Sequence, residues 1–246
     1  MRDYRIEILR FLATIGIAFF HFEWIYIGHP VYLQHFYLFV EFFFVLSGFF
    51  LAKNVKKYSA EDNWAPLRYV WKEIRKLWPP YIVAFIFSLF VYYKVNGIDD
   101  IESIVNIIWR SKWEAIFLQL SGIDPTAPVI NGVTAYIPAM LVSSLLIVYL
   151  YQHHYKITVN ILCVIIPIFI YSHILNNYGN LSQWMAYEKW TTVGILRGFA
   201  GMLIGVFISE RGEHLFGGGA KAWTNMFAYW YCSCDLSCTM QRKYIK

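Results

Sequence analysis

Long apolar runs alternate with shorter segments that hold most of the charged residues. A helix needs about 20 mainly apolar residues to cross the hydrocarbon core of a bilayer, whereas strands of a membrane barrel are about 10 residues long and alternate. The runs are too long and too uniform for such strands. The pattern therefore predicts an all-α, polytopic bundle with about six spanning helices. Their predicted ranges are Phe11–Ile27, Phe36–Ala52, Trp78–Tyr93, Val133–Tyr151, Ile157–Ile174 and Thr191–Ser209.

Two local features refine this division. The third run opens with Trp78-Pro79-Pro80-Tyr81, and proline fits the first turn of a helix, so a helix is expected to begin there. The segment from Lys94 to Gly132 is the longest connection on the outer side. It holds two partly apolar patches, which are expected to lie along the outer membrane interface, at Ile104–Trp109 and Ala115–Leu120.

The composition agrees with a membrane protein. Of the 246 residues, 58% are hydrophobic and 15% are charged, against about 25% charged in soluble domains. This excludes disorder and most soluble single-domain folds.

The charge distribution predicts orientation. Sixteen lysines and arginines lie on one set of connecting and terminal segments, and four lie on the other set. Because basic segments stay in the cytoplasm, both termini are predicted to be cytoplasmic. The net charge of +5 then reflects topology and contact with anionic lipid, with no nucleic-acid partner expected.

Ionisable residues inside spanning helices are costly, so each is a candidate for function. Arg10 and His21 are eleven residues apart, which places them on one helix face about 16 Å apart along the axis. Arg10 near the cytoplasmic end and His21 deeper in the membrane would hold two ends of one long ligand. The alternative is that Arg10 anchors the helix end and that His21 makes a hydrogen bond between helices.

Three other runs contain polar groups. Glu41 needs a partner, and an imidazole is a natural one, although a structural hydrogen bond between helices is the alternative. Ser47-Gly48 is typical of close helix approach. Arg197 must face a partner or a wet cavity, in a structural or a functional role. His173 and Glu23 lie nearer the outer boundary and are expected to be solvated.

Four segments in this order resemble the membrane-bound acyltransferase-3 family, from about Arg5 to Ser209. They are Arg10-x10-His21, Val40-Glu41-Phe42-Phe43-Phe44-Val45-Leu46-Ser47-Gly48-Phe49, Lys72-Glu73-Ile74-Arg75-Lys76-Leu77-Trp78-Pro79-Pro80-Tyr81 and, more weakly, Tyr136-Ile137-Pro138-Ala139-Met140.

The resemblance implies a multi-pass enzyme of the bacterial cytoplasmic membrane. It would move an acyl group, often acetyl, from cytoplasmic acyl-coenzyme A to a hydroxyl of a cell-surface or exported glycan, without a metal. His21 matches the family's essential histidine, as general base or transient acyl carrier, and Glu41 is assigned to the catalytic site with it. Arg10, Arg75 and Lys76 would bind the coenzyme. A glycan-lipid transporter or flippase and an inactive fragment of the acyltransferase stay open as alternatives.

The composition changes after Ser209. Residues 1–209 are interpreted as a partial acyltransferase-like domain, because the family usually has more spanning helices. Residues 210–246 are interpreted as a cytoplasmic tail and hypothesised to be a non-native or frame-shifted end. Gly217-Gly218-Gly219 could suggest a phosphate-binding loop, but no Gly-Lys-Ser/Thr follows it, so these glycines are interpreted as a flexible linker. Cys232, Cys234 and Cys238 could suggest a zinc site, but a fourth ligand at the proper spacing is missing, so no metal is expected there.

Overall fold

The computed structural model describes residues 4–28, 32–58, 61–98, 100–116, 130, 136–183, 186–188 and 191–216. Helices account for most of them. A 3₁₀ turn (Phe36–Leu38) leads into α2, α6 contains a π-helical turn (Thr158–Leu162), and two short antiparallel strands, β1 (Tyr187–Glu188) and β2 (Thr191–Thr192), precede α7. The helices are α1 (Tyr4–Ile27), α2 (Phe39–Val55), α3 (Ala65–Asn96), α4 (Ile101–Ile116), α5 (Tyr136–His153), α6 (Tyr155–Tyr178) and α7 (Val193–Phe216).

The predicted all-α, polytopic membrane fold is confirmed. Among the described residues, five helices are long and apolar enough to cross a membrane: α2 with its 3₁₀ turn, α3, α5, α6 and α7. The first predicted run is helical as well. It lies within α1, whose first two turns also carry the charged residues Arg5, Glu7 and Arg10.

The predicted start of the third span is wrong. The helix begins at Ala65, and Pro79 and Pro80 lie inside it. Both prolines are exposed. Apolar residues pack on one side of α3 at helical spacing on either side of the prolines, which compensates for the backbone hydrogen bonds that proline removes. These residues are Val70, Ile74, Leu77, Tyr81 and Phe85.

Helices α2, α5 and α6 pack around α7, and pairs of neighbouring residues give their directions. Glu41 near the start of α2 pairs with Arg197 of α7, and Lys56 just after α2 pairs with Glu210 further along α7, so α2 and α7 are parallel. Ala139 lies against Gly198, and Tyr151 bonds Glu210, so α5 is parallel to α7 as well. Tyr171 meets Glu41 of α2, whereas Tyr155 meets Glu210 of α7, so α6 runs the opposite way.

The direction of α1 follows from its contact with α2. Phe20 lies beside Tyr37, Gly16 lies against Phe39, and Ala13 shares a cluster with Phe42 and Leu46. The two helices are therefore antiparallel. Because α2 is parallel to α7, the first residues of α1 and the last residues of α7 point to the same side of the bundle. This agrees with the predicted cytoplasmic placement of both ends, which stays a prediction.

One end of the bundle is held by Glu210. Its carboxylate accepts hydrogen bonds from Tyr151 at 3.0 Å and Tyr155 at 2.7 Å, and it pairs with Lys56 at 2.9 Å. We call this the basic end, because Lys56, Lys156 and Arg211 lie there, and we call the opposite end, with Tyr136, Tyr178 and Thr192, the far end. Helix α7 continues past the predicted boundary at Ser209. The three glycines and the three cysteines of the predicted tail lie outside the described residues.

Two glycines set the distance between α2 and α7. A Cβ at Gly48 would overlap the carbonyl of Met202, and one at Gly205 would overlap the carbonyl of Val45. Backbone atoms on the facing helix have little room to retreat. The structural interpretation of Gly48, as a residue that permits close helix approach, is therefore confirmed.

We expect Gly48→Ala and Gly205→Ala to destabilise the bundle by about 1–3 kcal/mol, because the added methyl overpacks a backbone contact. Gly212→Ala is the matched control. A Cβ there would meet only Ile208, at 3.4 Å, and alanine favours a helix. Unfolding titrations in mixed micelles measure the difference, and equal midpoints for Gly205→Ala and Gly212→Ala would contradict the close packing.

Candidate functional site

Arg10 and His21 lie on one continuous helix, so the spacing argument for a shared face applies along its length. Ala13 and Gly16 face α2, and the stripe that contains Arg10, Thr14, Ile17 and His21 lies beside this contact. We call it the α1 stripe. Its residues are exposed or half-buried rather than enclosed by neighbouring helices.

Arg10 lies further from the basic end than the sequence suggested. The small residues Ala13 and Gly16 fix the register of α1 on α2, and this places Arg10 level with the middle of α2. The guanidinium makes an exposed ion pair with Glu7 at 3.3 Å. An exposed ion pair contributes little to stability, so Arg10 is available to bind a ligand.

His21 lies level with the start of α2, towards the far end, because the neighbouring Phe20 contacts Tyr37. Its imidazole is half-buried and meets the Phe20 ring edge-on, with 5.4 Å between centroids. Within the described part of the chain, neither ring nitrogen has a hydrogen-bond partner. A histidine that transfers protons or an acyl group needs such an available nitrogen.

Glu41 has partners other than the expected imidazole. Its Oε1 pairs with Arg197 Nε at 2.5 Å, and its Oε2 accepts a hydrogen bond from the Tyr171 hydroxyl at 2.7 Å. Glu41 and Arg197 are each 3% exposed. The Nη2 of Arg197 is buried without a partner among the described residues, so the cation relies on Glu41 for its neutralisation.

The structure does not bring His21 and Glu41 together. Phe39, Phe42 and Leu46 face α1, whereas Glu41 and Gly48 face α6 and α7 from another side of α2. The expectation that an imidazole partners Glu41 is therefore wrong, because the residue that reaches this carboxylate must lie on a helix facing the same side. The catalytic assignment of Glu41 stays a prediction.

Sequence reasoning identified Arg197 as needing a partner but missed Tyr171. A tyrosine in an apolar run gives no signal of what its hydroxyl contacts. One usable signal was present in α7, where Gly194, Gly198, Gly201 and Gly205 form two small-xxx-small patterns. A Cβ at Gly201 would lie 3.4 Å from both Glu41 Oε2 and Tyr171 Oη. The glycine stripe thus lets α2 and α6 reach Arg197.

The two predicted coenzyme ligands on α3 are exposed. The guanidinium of Arg75 lies over the Trp71 ring, 5.2 Å from its centroid, and Lys76 pairs with Glu73 at 2.7 Å. Both contacts are local to the helix and solvent-screened, so they leave the charges able to bind an anion. The structure does not place these side chains on the α1 stripe, since α3 packs mainly on α5.

Two boundary residues differ in their surroundings. His173 is exposed, and it contacts Glu188 of β1 at 3.0 Å. Glu23, expected to be solvated, is only 9% exposed because it accepts hydrogen bonds from the backbone amides of Tyr32 and Leu33. It thereby fixes the connection between α1 and α2. Among the described residues, no group of three potential ligands could hold a metal ion.

The sequence profile of a family described as an acyltransferase domain matches residues 3–240. The chain belongs to the membrane acyltransferase-3 family. No curated protein and no solved structure matches it. Family membership and the apolar helices together identify a multi-pass membrane O-acyltransferase. The match also extends beyond the predicted domain boundary at residue 209.

Proposed function

We propose that this membrane acyltransferase transfers an acyl group, in the simplest case acetyl, from acyl-coenzyme A to a hydroxyl of a cell-surface or exported glycan. The observation that carries the proposal is the α1 stripe: a cation and an imidazole whose ring nitrogens bond no other described residue, about 16 Å apart along one helix face. A long donor with an anionic end and a reactive thioester end suits this separation.

The reaction needs one proton acceptor near the acceptor hydroxyl. His21 would take the hydroxyl proton as the hydroxyl oxygen bonds to the thioester carbonyl carbon. The carbon–sulfur bond then breaks, and the imidazolium returns the proton to the leaving thiolate. As an acyl carrier, His21 would instead attack the thioester itself and pass the acyl group to the hydroxyl in a second step. An imidazole whose ring nitrogens have no hydrogen-bond partner among the described residues supports either route.

The cations have a separate role in this proposal. Arg10 would bind an anionic part of the donor, while Arg75 and Lys76 would bind further phosphate oxygens from the exposed face of α3. Arginine binds phosphate in two-point fashion and lysine acts as a single charge, so Arg75 contributes more to orientation than Lys76. Glu41 fits a positioning role, since its two oxygens are occupied by Arg197 and Tyr171.

Transfer of a radiolabelled acetyl group tests the proposal. Membrane vesicles containing the full chain receive acetyl-coenzyme A labelled on the acetyl group, and membranes without the chain are the control. We expect label in a glycan fraction as an ester that hydroxylamine releases. Absence of chain-dependent label, with the chain correctly inserted, would favour the transporter or inactive-fragment interpretation.

A further inference from the structure

The directions of the helices show that α4 does not cross the membrane with the others. Helices α2 and α7 are parallel, and among the described residues three spanning helices, α3, α5 and α6, lie between them along the chain. Each crossing reverses direction, so a fourth crossing by α4 would make α2 and α7 antiparallel. The length agrees, because 16 residues of helix reach about 24 Å and the hydrocarbon core is about 30 Å thick.

The side chains of α4 divide into three sectors around its axis. At about 100° per residue, four exposed apolar residues fall within about 100° of one another. They are Ile101, Val105, Ile108 and Trp109, with 78%, 59%, 50% and 66% of their surface exposed. The next sector is polar, with Glu102, Asn106 and Arg110. The remaining sector is more buried and holds Ile104, Ile107 and Ser111.

The more buried sector faces the protein. Tyr93 of α3 donates a hydrogen bond to the carbonyl of Ile104, and Ser111 is 1% exposed. The polar sector suits water. The start of α4 is also polar: Asp100 caps it by accepting from the Ser103 amide at 2.7 Å, and the side-chain and backbone hydrogen bonds from Ser103 lower the pKa of Asp100. The exposed apolar sector therefore faces neither the protein nor the water that suits the polar sector, and it needs a third environment.

We propose that α4 lies in the plane of the membrane interface at the far end, with Ile101, Val105, Ile108 and Trp109 buried among lipid acyl chains. Continuity with α3 supports lipid as the occupant. The spanning part of α3 exposes Val83, Phe87 and Phe90, and α4 follows after a short turn through Gly97, whose φ of 62° ends α3.

Trp109 and Lys112 are suited to the headgroup level. Lys112 projects from the apolar sector, and its ammonium lies 3.4 Å from the centroid of the Trp109 ring. Tryptophan is enriched at the membrane–water interface, and a lysine stem extends along apolar surface while its charge stays hydrated. A helix with these properties is typically buried by about 5–10 Å at the boundary between headgroups and acyl chains.

Spin-label accessibility tests the proposal on the full chain in phosphatidylcholine vesicles. The four native cysteines are replaced by alanine, and Val105→Cys is compared with its matched neighbour Asn106→Cys. We expect the label at position 105 to collide mostly with lipid-soluble oxygen and the label at 106 mostly with a water-soluble nickel chelate, with a several-fold difference in the ratio. Equal nickel accessibility would mean that water covers the sector, and exclusion of both reagents at 105 would mean that protein covers it. Either result overturns the proposal.

A second measurement avoids cysteine replacement. Phosphatidylcholine brominated on its acyl chains quenches tryptophan fluorescence at short range. We expect Trp109→Phe to remove part of the quenchable fluorescence of the native chain in such vesicles. An unchanged quenchable signal in that variant would contradict burial of Trp109 in lipid, whatever the behaviour of the cysteine-free protein.

Discussion

Replacing His21 by glutamine is expected to lower the rate of acyl transfer by about 10²- to 10⁴-fold, the usual contribution of a positioned general acid or base. Glutamine keeps a similar length and hydrogen-bonding capacity but does not exchange a proton near neutral pH. The measurement is the initial rate of transfer from labelled acetyl-coenzyme A in membrane vesicles. His154→Gln is the matched control, because His154 is exposed in the turn between α5 and α6 and lies at the basic end. It should retain nearly full activity.

The stability of the variant separates chemistry from folding. His21 is half-buried on a helix that packs mainly on α2, so His21→Gln should unfold close to the wild-type midpoint. A rate within about threefold of wild type would exclude both proton transfer and acyl carriage by His21, since each contributes far more. Label bound to the wild-type protein when the donor is supplied without a glycan acceptor, and absent from the variant, would identify the acyl-carrier route.

Much of the fold follows from the sequence because length and apolar uniformity are strong signals in membranes. The predicted second span, Phe36–Ala52, ends three residues before the end of α2, and the fourth, Val133–Tyr151, differs from α5 by only a few residues at each end. The error at α3 has a physical cause. Rules for proline describe its local effect on the helix backbone, whereas the start of α3 is decided by packing on α5 over residues far from Pro79.

The candidate site was predictable only where it depends on a single helix. The shared face of Arg10 and His21 requires nothing but a continuous α1. The partners of Glu41 depend on how three helices rotate against one another, and apolar runs without polar stripes carry little information about rotation. The glycines of α7 mark a close helix contact, but they do not specify that Tyr171 of α6 completes it.

Arg197→Met is expected to destabilise the bundle by about 3–5 kcal/mol, because it leaves Glu41 buried without its counter-ion. Tyr171 alone donates one hydrogen bond and supplies no charge. Unfolding titrations in mixed micelles measure the loss. Arg68→Met is the matched control, since the ion pair of Arg68 with Asp62 is exposed and its removal should cost less than about 1 kcal/mol. Similar losses in the two variants would show that the buried pair is not a major source of stability.

The double variant Glu41→Gln with Arg197→Met tests the two roles predicted for Glu41. Removing both charges eliminates the uncompensated carboxylate, and the glutamine oxygen still accepts from the Tyr171 hydroxyl. The double variant should therefore be more stable than Arg197→Met alone. If Glu41 positions helices, acyl transfer recovers together with stability. If Glu41 is catalytic, the double variant folds but transfers acyl groups at less than about a hundredth of the wild-type rate. The comparison of stability with rate decides between these roles, because only a catalytic carboxylate is irreplaceable once its charge has been balanced.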